Sequence, residues 1–183
     1  LHVGHGRGAI LGSTLANILT AAGYYVEKEY YINDAGSQID AFGRSLYARY
    51  QQSLGVPAEM PSEGYFGDYM VELAKEIISK DGDKYLSMPE KDAPYFLKNI
   101  GLEMVLTQIR NILKSLGVEF DSWFSETSLF MGTYHRAISS LEKKGHLTQK
   151  ESATWFVSTA LGEGKDKDNV VVRSDSSPTY FAT

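Results

Sequence analysis

The hydrophobic positions first mark out a helix. Between Gly6 and Gly23, Ile10, Leu11, Leu15, Ile18, Leu19 and Ala22 fall at helical spacing, and Gly23 suits the position just past a helix end. The next stretch, YYVEKEYYIND, mixes β-branched and aromatic residues with polar ones and runs into the turn-forming NDAG, which predicts a strand. From Ser37 to Leu54 the positions of Ile39, Phe42, Leu46, Tyr50 and Leu54 are helical again. Helix, strand, helix in this order predicts an α/β fold wound on a parallel sheet, entered just after a first strand that is missing.

The texture changes after Leu54. GVPAEMPSEGYFGD holds two prolines and three glycines and reads as an irregular connection. Helical patterns then cover about 69–80, 94–116 (ended by Gly117) and 132–144 (ended by Gly145). Residues 54–152 are therefore expected to form a mainly helical insertion between parts of the α/β unit. ATWFVSTA, the charged loop LGEGKDKDN and VVVRSD predict a β-hairpin within 153–183, and SSPTYFAT follows it.

Composition narrows the class. The 183 residues can bury the core of one domain, and no apolar run is long enough to span a bilayer. With no cysteine, disulfides and thiolate metal sites are excluded. A net charge of -5 argues against a general nucleic-acid coat but leaves room for RNA bound at a local patch. The charge runs EKKGH and GKDKDN read as solvated faces. Trp123 and Trp155 read as core residues, and His135 and His146 as surface or boundary residues.

Candidate chemistry gathers in the opening LHVGHGRG. His2 and His5 are three apart at a helix entrance, so both can face one side of the first turn. The positive end of the helix dipole points the same way. Gly4 and Gly6 let a flat ring or a phosphate approach the backbone, and Arg7 adds a cation. These residues suit a nucleoside phosphate, with imidazoles donating to charge that develops on a phosphoryl oxygen. The plain alternative is a terminal segment with solvent-facing histidines. A metal site has no third ligand at an obvious spacing.

LHVGHGRG followed by an amphipathic helix resembles the HIGH signature of class I aminoacyl-tRNA synthetases. The longer stretch from Leu1 to Asp40 is similar to the catalytic domain of arginyl-tRNA synthetase, and GRSLYARY, GYFGDYM, DSWFSE and VVVRSDSSPTYFAT are similar to further pieces of the same family in the expected order. The resemblance implies a partial Rossmann-like nucleotide-binding fold. On this view 1–53 is its first part, lacking the first strand, and 153–183 is a β-hairpin and a truncated return.

The resemblance also implies an activity. Arginine is joined to ATP with release of pyrophosphate, then passed to the terminal adenosine of tRNA(Arg), with tRNA needed for efficient activation. His2 and His5 would bind ATP and stabilise the transition state, and Gly4 would let adenine lie against the backbone. Tyr180 matches a tyrosine that contacts arginine, with its companion aspartate expected just past Thr183. Tyr30, Asn33, Asp34 and Gln38, at the carboxyl edge of the sheet, are candidate arginine-pocket residues; Asp34 has an alternative role as an N-cap, and Gln38 as a surface helix residue. Tyr25 stands where some members carry an acid, and Ser176 where glycine is commoner. The chain holds no lysine-bearing KMSK-like loop. It is therefore expected to be an inactive piece, prone to self-association, of a monomeric cytoplasmic enzyme that uses ATP with Mg2+ and has no structural metal. The alternatives are another HxGH nucleotidyl transferase, or a non-catalytic tRNA-binding module derived from a synthetase.

Overall fold

A computed structural model describes residues 2–162 and 167–182, which form two compact units, 1–124 and 125–183. In the first unit α1 spans Val3–Ala21, β1 Glu29–Ile32, α2 Ser37–Ser53, α3 Asp68–Asp81 and α4 Ala93–Ser115, with β2 at Ser122–Ser125. Helix α1 starts three residues before its apolar periodicity, because histidines rather than the usual Ser, Thr, Asp or Asn cap it. The strand expected over 24–34 is confined to four residues.

Strand β2 was not expected from the sequence, and it pairs with β1. Ser122 Oγ donates to the Glu29 carboxylate at 2.8 Å, Trp123 stacks on Tyr30 and Phe124 lies beside Tyr31. These side-chain pairs advance together along both strands, so the pair is parallel. At its entrance the Lys28 N–H donates to Asp121 Oδ2 and the Asp121 N–H donates to the Lys28 carbonyl. The helical crossover that a parallel pair requires is supplied by α2, α3 and α4. Together these features are those of a partial Rossmann-like α/β fold.

The core of this unit is helical. Phe42, Leu46, Tyr47 and Tyr50 of α2 pack with Met70, Leu73, Ala74 and Ile77 of α3, and with Ala93 and Leu97 of α4. Helices α2 and α4 approach closely through two glycines. A Cβ on Gly43 would stand 2.7 Å from the Pro94 carbonyl, and one on Gly101 would run into Leu46. Buried Ser45 donates to the Ala41 carbonyl and accepts from the Tyr65 N–H, pinning the proline-bearing loop to α2.

The second unit holds α5 (Thr133–Lys143) and an antiparallel sheet β3–β4–β5, Leu147–Lys150, Ala153–Phe156 and Asn169–Val172. The hairpin expected from the sequence is β4–β5; β3 joins it through a two-residue turn at Glu151 and Ser152, both at positive φ. Of the charged loop at 161–169, residues 163–166 lie outside the described residues. Ser176 has φ 66, the left-handed region in which glycine costs least, so a glycine preference at this position has a backbone cause.

Candidate functional site

The first turn of α1 is closed by its own histidines. His2 is the N-cap, and its Nδ1 accepts from the Gly4 N–H at 3.0 Å; His5 Nδ1 in turn accepts from the His2 N–H at 3.2 Å. This is the reciprocal geometry of a capping box, built with imidazoles in place of Ser and Glu. The rings stack with centroids 3.7 Å apart and planes 26° off parallel. Because both Nδ1 atoms accept, the hydrogen bonds assign the ring protons to Nε2. Two Nε2–H donors are thus held side by side at the positive end of the α1 dipole.

Gly4 is required by this arrangement before any ligand is considered. A Cβ there would stand 2.8 Å from His2 Cε1 and 3.0 Å from Nδ1. Gly4 and His5 also open onto a cleft of about 590 Å³, lined further by Gly8, Gly12, Ser13, Ala16, residues 26–31 and Phe120. That volume lies within the ~300–1,000 Å³ common for small-molecule sites. Gly4, Gly8 and Gly12, one turn apart on α1, open backbone to the cleft between the flanking side chains of His5, Ala9, Ser13, Leu15, Ala16 and Leu19. Gly6, expected beside Gly4, does not line the cleft; Gly8 and Gly12 do, at a spacing legible in the sequence.

The other predicted residues are placed as follows. Tyr30 lines the cleft, stacked 4.4 Å from Trp123 with Phe120 against its edge, and burial pushes its hydroxyl above the usual tyrosine value. Arg110 lies 4.5 Å over the other partner in this cluster, Trp123, a contact no sequence pattern announced. Asn33 and Gln38 are exposed, and Asp34 is half-buried. The N-cap of α2 is Gly36, not Asp34. Tyr25 is exposed. Tyr180 belongs to the second unit and is 90% exposed. It follows a turn in which the Arg173 N–H donates to the Ser177 carbonyl and the Thr179 N–H donates to Val171 of β5. In that turn Ser177 donates through Oγ and N–H to Asp175, holding the carboxyl below its usual range. Among the described residues no three His, Asp or Glu converge as a metal site, and no helix is long and apolar enough to cross a membrane.

A parallel strand pair beside a helix whose N-terminus carries HxGH defines a broad class, the α/β nucleotide-binding folds with an HxGH signature. The family model for class I tRNA synthetases (R), catalytic domain, matches residues 1–183, and the chain belongs to that family. It is 58% identical to an arginine–tRNA ligase of Dehalococcoides mccartyi and 46% identical to one of Carboxydothermus hydrogenoformans, over its whole length in both cases. It spans only 33% and 32% of those relatives. A solved structure from Campylobacter jejuni, provisionally named an arginyl-tRNA synthetase, superposes over all of this chain and 39% of its own, with TM-score 0.86 and 34% identity. The arginyl-tRNA synthetase of Thermus thermophilus shares the fold at TM-score 0.63 and 22% identity, over 100% of this chain and 32% of its own.

Proposed function

We propose that this chain is the HxGH-bearing part of an arginine–tRNA ligase about three times its length. In that protein the arginine carboxylate attacks the α-phosphorus of ATP, and pyrophosphate leaves. A hydroxyl of the terminal adenosine of tRNA(Arg) then attacks the arginyl carbonyl, and AMP leaves. The observation that carries this reading is the stacked His2–His5 pair, whose Nε2–H groups are free to donate to charge developing on an α-phosphoryl oxygen. Donors fixed in advance act without reorganising at the moment of reaction. Mg2+ enters with ATP as part of the substrate.

Gly4 serves both the His2 ring and the approach of adenine. Tyr30, Asn33, Asp34, Gln38 and Tyr180 are assigned to the arginine side of the site. Residues 54–152 are assigned as an insertion into the nucleotide fold, and the whole protein as monomeric and cytoplasmic. The test is ATP–pyrophosphate exchange by the full-length protein with each amino acid in turn, with and without tRNA. Exchange driven by arginine alone among the amino acids, and dependent on tRNA, is expected. Exchange driven by another amino acid, or none with arginine and tRNA present, overturns the reading.

A further inference from the structure

Helix α5 displays a concentration of cations that runs against the balance of the chain. The protein has 18 Lys and Arg against 23 Asp and Glu, yet one open depression of about 520 Å³ is lined by His135, Arg136, Ser139, Ser140, Lys143 and Lys144, with no carboxylate among them. Glu142, on the same helix, is exposed but does not line it. All six lining residues are exposed. Among the described residues none of the three cations is ion-paired, whereas Lys75, Lys80 and Lys98 of α3 and α4 are held by Glu72, Glu76 and Asp40.

Part of this pattern has a local cause, since Lys143 and Lys144 sit at the negative end of the α5 dipole. That does not account for Arg136, two turns earlier in the first turn of the helix, where a cation is disfavoured. Arg136 is braced by a hydrogen bond from Nη2 to Thr133 Oγ1 at 3.0 Å, which orients the guanidinium and leaves its remaining donors open. At 1.5 Å of rise per residue, Arg136 and Lys143 are about 10 Å apart along the axis. A span of that length reaches more than one phosphate along a nucleic-acid backbone. The serines add hydroxyl donors between the cations, a mixture typical of phosphate contacts.

We propose that this face of α5 binds the phosphodiester backbone of RNA. Resting on the reading above, that RNA is the tRNA which the whole protein charges. The surface contributes affinity and orientation without reading sequence, and its contribution falls with salt because each contact releases counterions.

The experiment compares two double variants of the full-length protein that remove the same charge. They are Lys143→Gln/Lys144→Gln on the proposed surface, and Lys75→Gln/Lys80→Gln on α3. Binding of a tRNA(Arg) transcript is measured across a salt series, with thermal melting to confirm that both variants fold. The α5 pair is expected to weaken binding about tenfold at low salt and to flatten the log–log salt slope by about two, one per lysine. Adding Arg136→Gln flattens it further. The α3 pair is expected to leave the slope unchanged. Equal losses in the two variants would mean a net-charge effect and overturn the proposal, as would an unchanged slope in the α5 pair. Whichever way that comparison falls, the synthetase reading fails separately, by the absence of arginine-dependent exchange in the unsubstituted protein.

Discussion

At the scale of the residue, the site depends on an atom that is absent. Gly4 donates to His2 Nδ1, and the ring lies where a Cβ on residue 4 would have to go. Gly4→Ala is therefore expected to turn the His2 ring out of the cap, at a helix-cap cost of about 0.5–2 kcal/mol, and to unstack it from His5. In the full-length protein, arginine activation should fall about tenfold or more in kcat, with the KM for arginine within about twofold. Wild-type kcat in this variant would show that His2 does not need the glycine.

At the scale of the element, helices were more legible than strands. The bounds of α2 to α5 fall within a residue or two of those read from apolar spacing, since α2 to α4 each bury a periodic face and α5 half-buries one, at Tyr134, Ile138 and Leu141. Strand β2 has four residues, SWFS, too few for alternation to show, and β3, LTQK, has a single apolar residue. The β3–β4 turn is made by Glu151 and Ser152, without the Asn-Gly or Asp-Gly that marks such hairpins. The start of α1 is legible from His2 and His5 rather than from apolar spacing, which begins only later in the helix, and no common capping residue stands there. Of the site, the motif residues were legible. The Arg110–Trp123–Tyr30 stack was not, because it joins three elements distant in sequence.

The α2–α3–α4 core carries a pH signature of its own. Tyr85 is buried and donates to Asp81 Oδ2 at 2.7 Å; burial first, and then that carboxylate, push its hydroxyl up from 10.0 to about 12. Tyr50, buried with its hydroxyl on the Gly82 carbonyl at 2.6 Å, is also raised, again chiefly by burial. The fold favours the neutral phenols, so their contribution is intact below about pH 10 and is lost as pH climbs towards 12. Urea denaturation followed by helical circular dichroism should show stability falling between about pH 10 and 12. Tyr85→Phe should make that fall shallower. An equally steep fall in the variant would assign the alkaline loss to other groups.

At the scale of the whole molecule, much apolar surface on α1 is uncovered. Leu11, Leu15 and Ile18 are 57–64% exposed, and the β1–β2 pair has no further strand on either side among the described residues. Uncovered apolar faces and open strand edges favour association. The 183-residue chain is expected to self-associate with rising concentration in sedimentation velocity, and Leu11→Glu/Ile18→Glu to return it towards the monomer. A chain that stays monomeric at about 100 µM, well above the ~1 µM at which a binding free energy near -8 kcal/mol is half-saturating, would contradict this.

On the proposed function, the stacked histidines act on the transition state rather than on ground-state binding. The most direct test of this role is the rate of arginyl-adenylate formation by full-length His2→Ala and His5→Ala variants with saturating ATP, arginine and tRNA. Loss of a preorganised donor costs about 10²–10³ in rate where such donors have been removed elsewhere. Each variant is expected to lose on the order of 10² or more in kcat. A loss confined to the KM for ATP, with kcat preserved, would contradict the role assigned to His2 and His5.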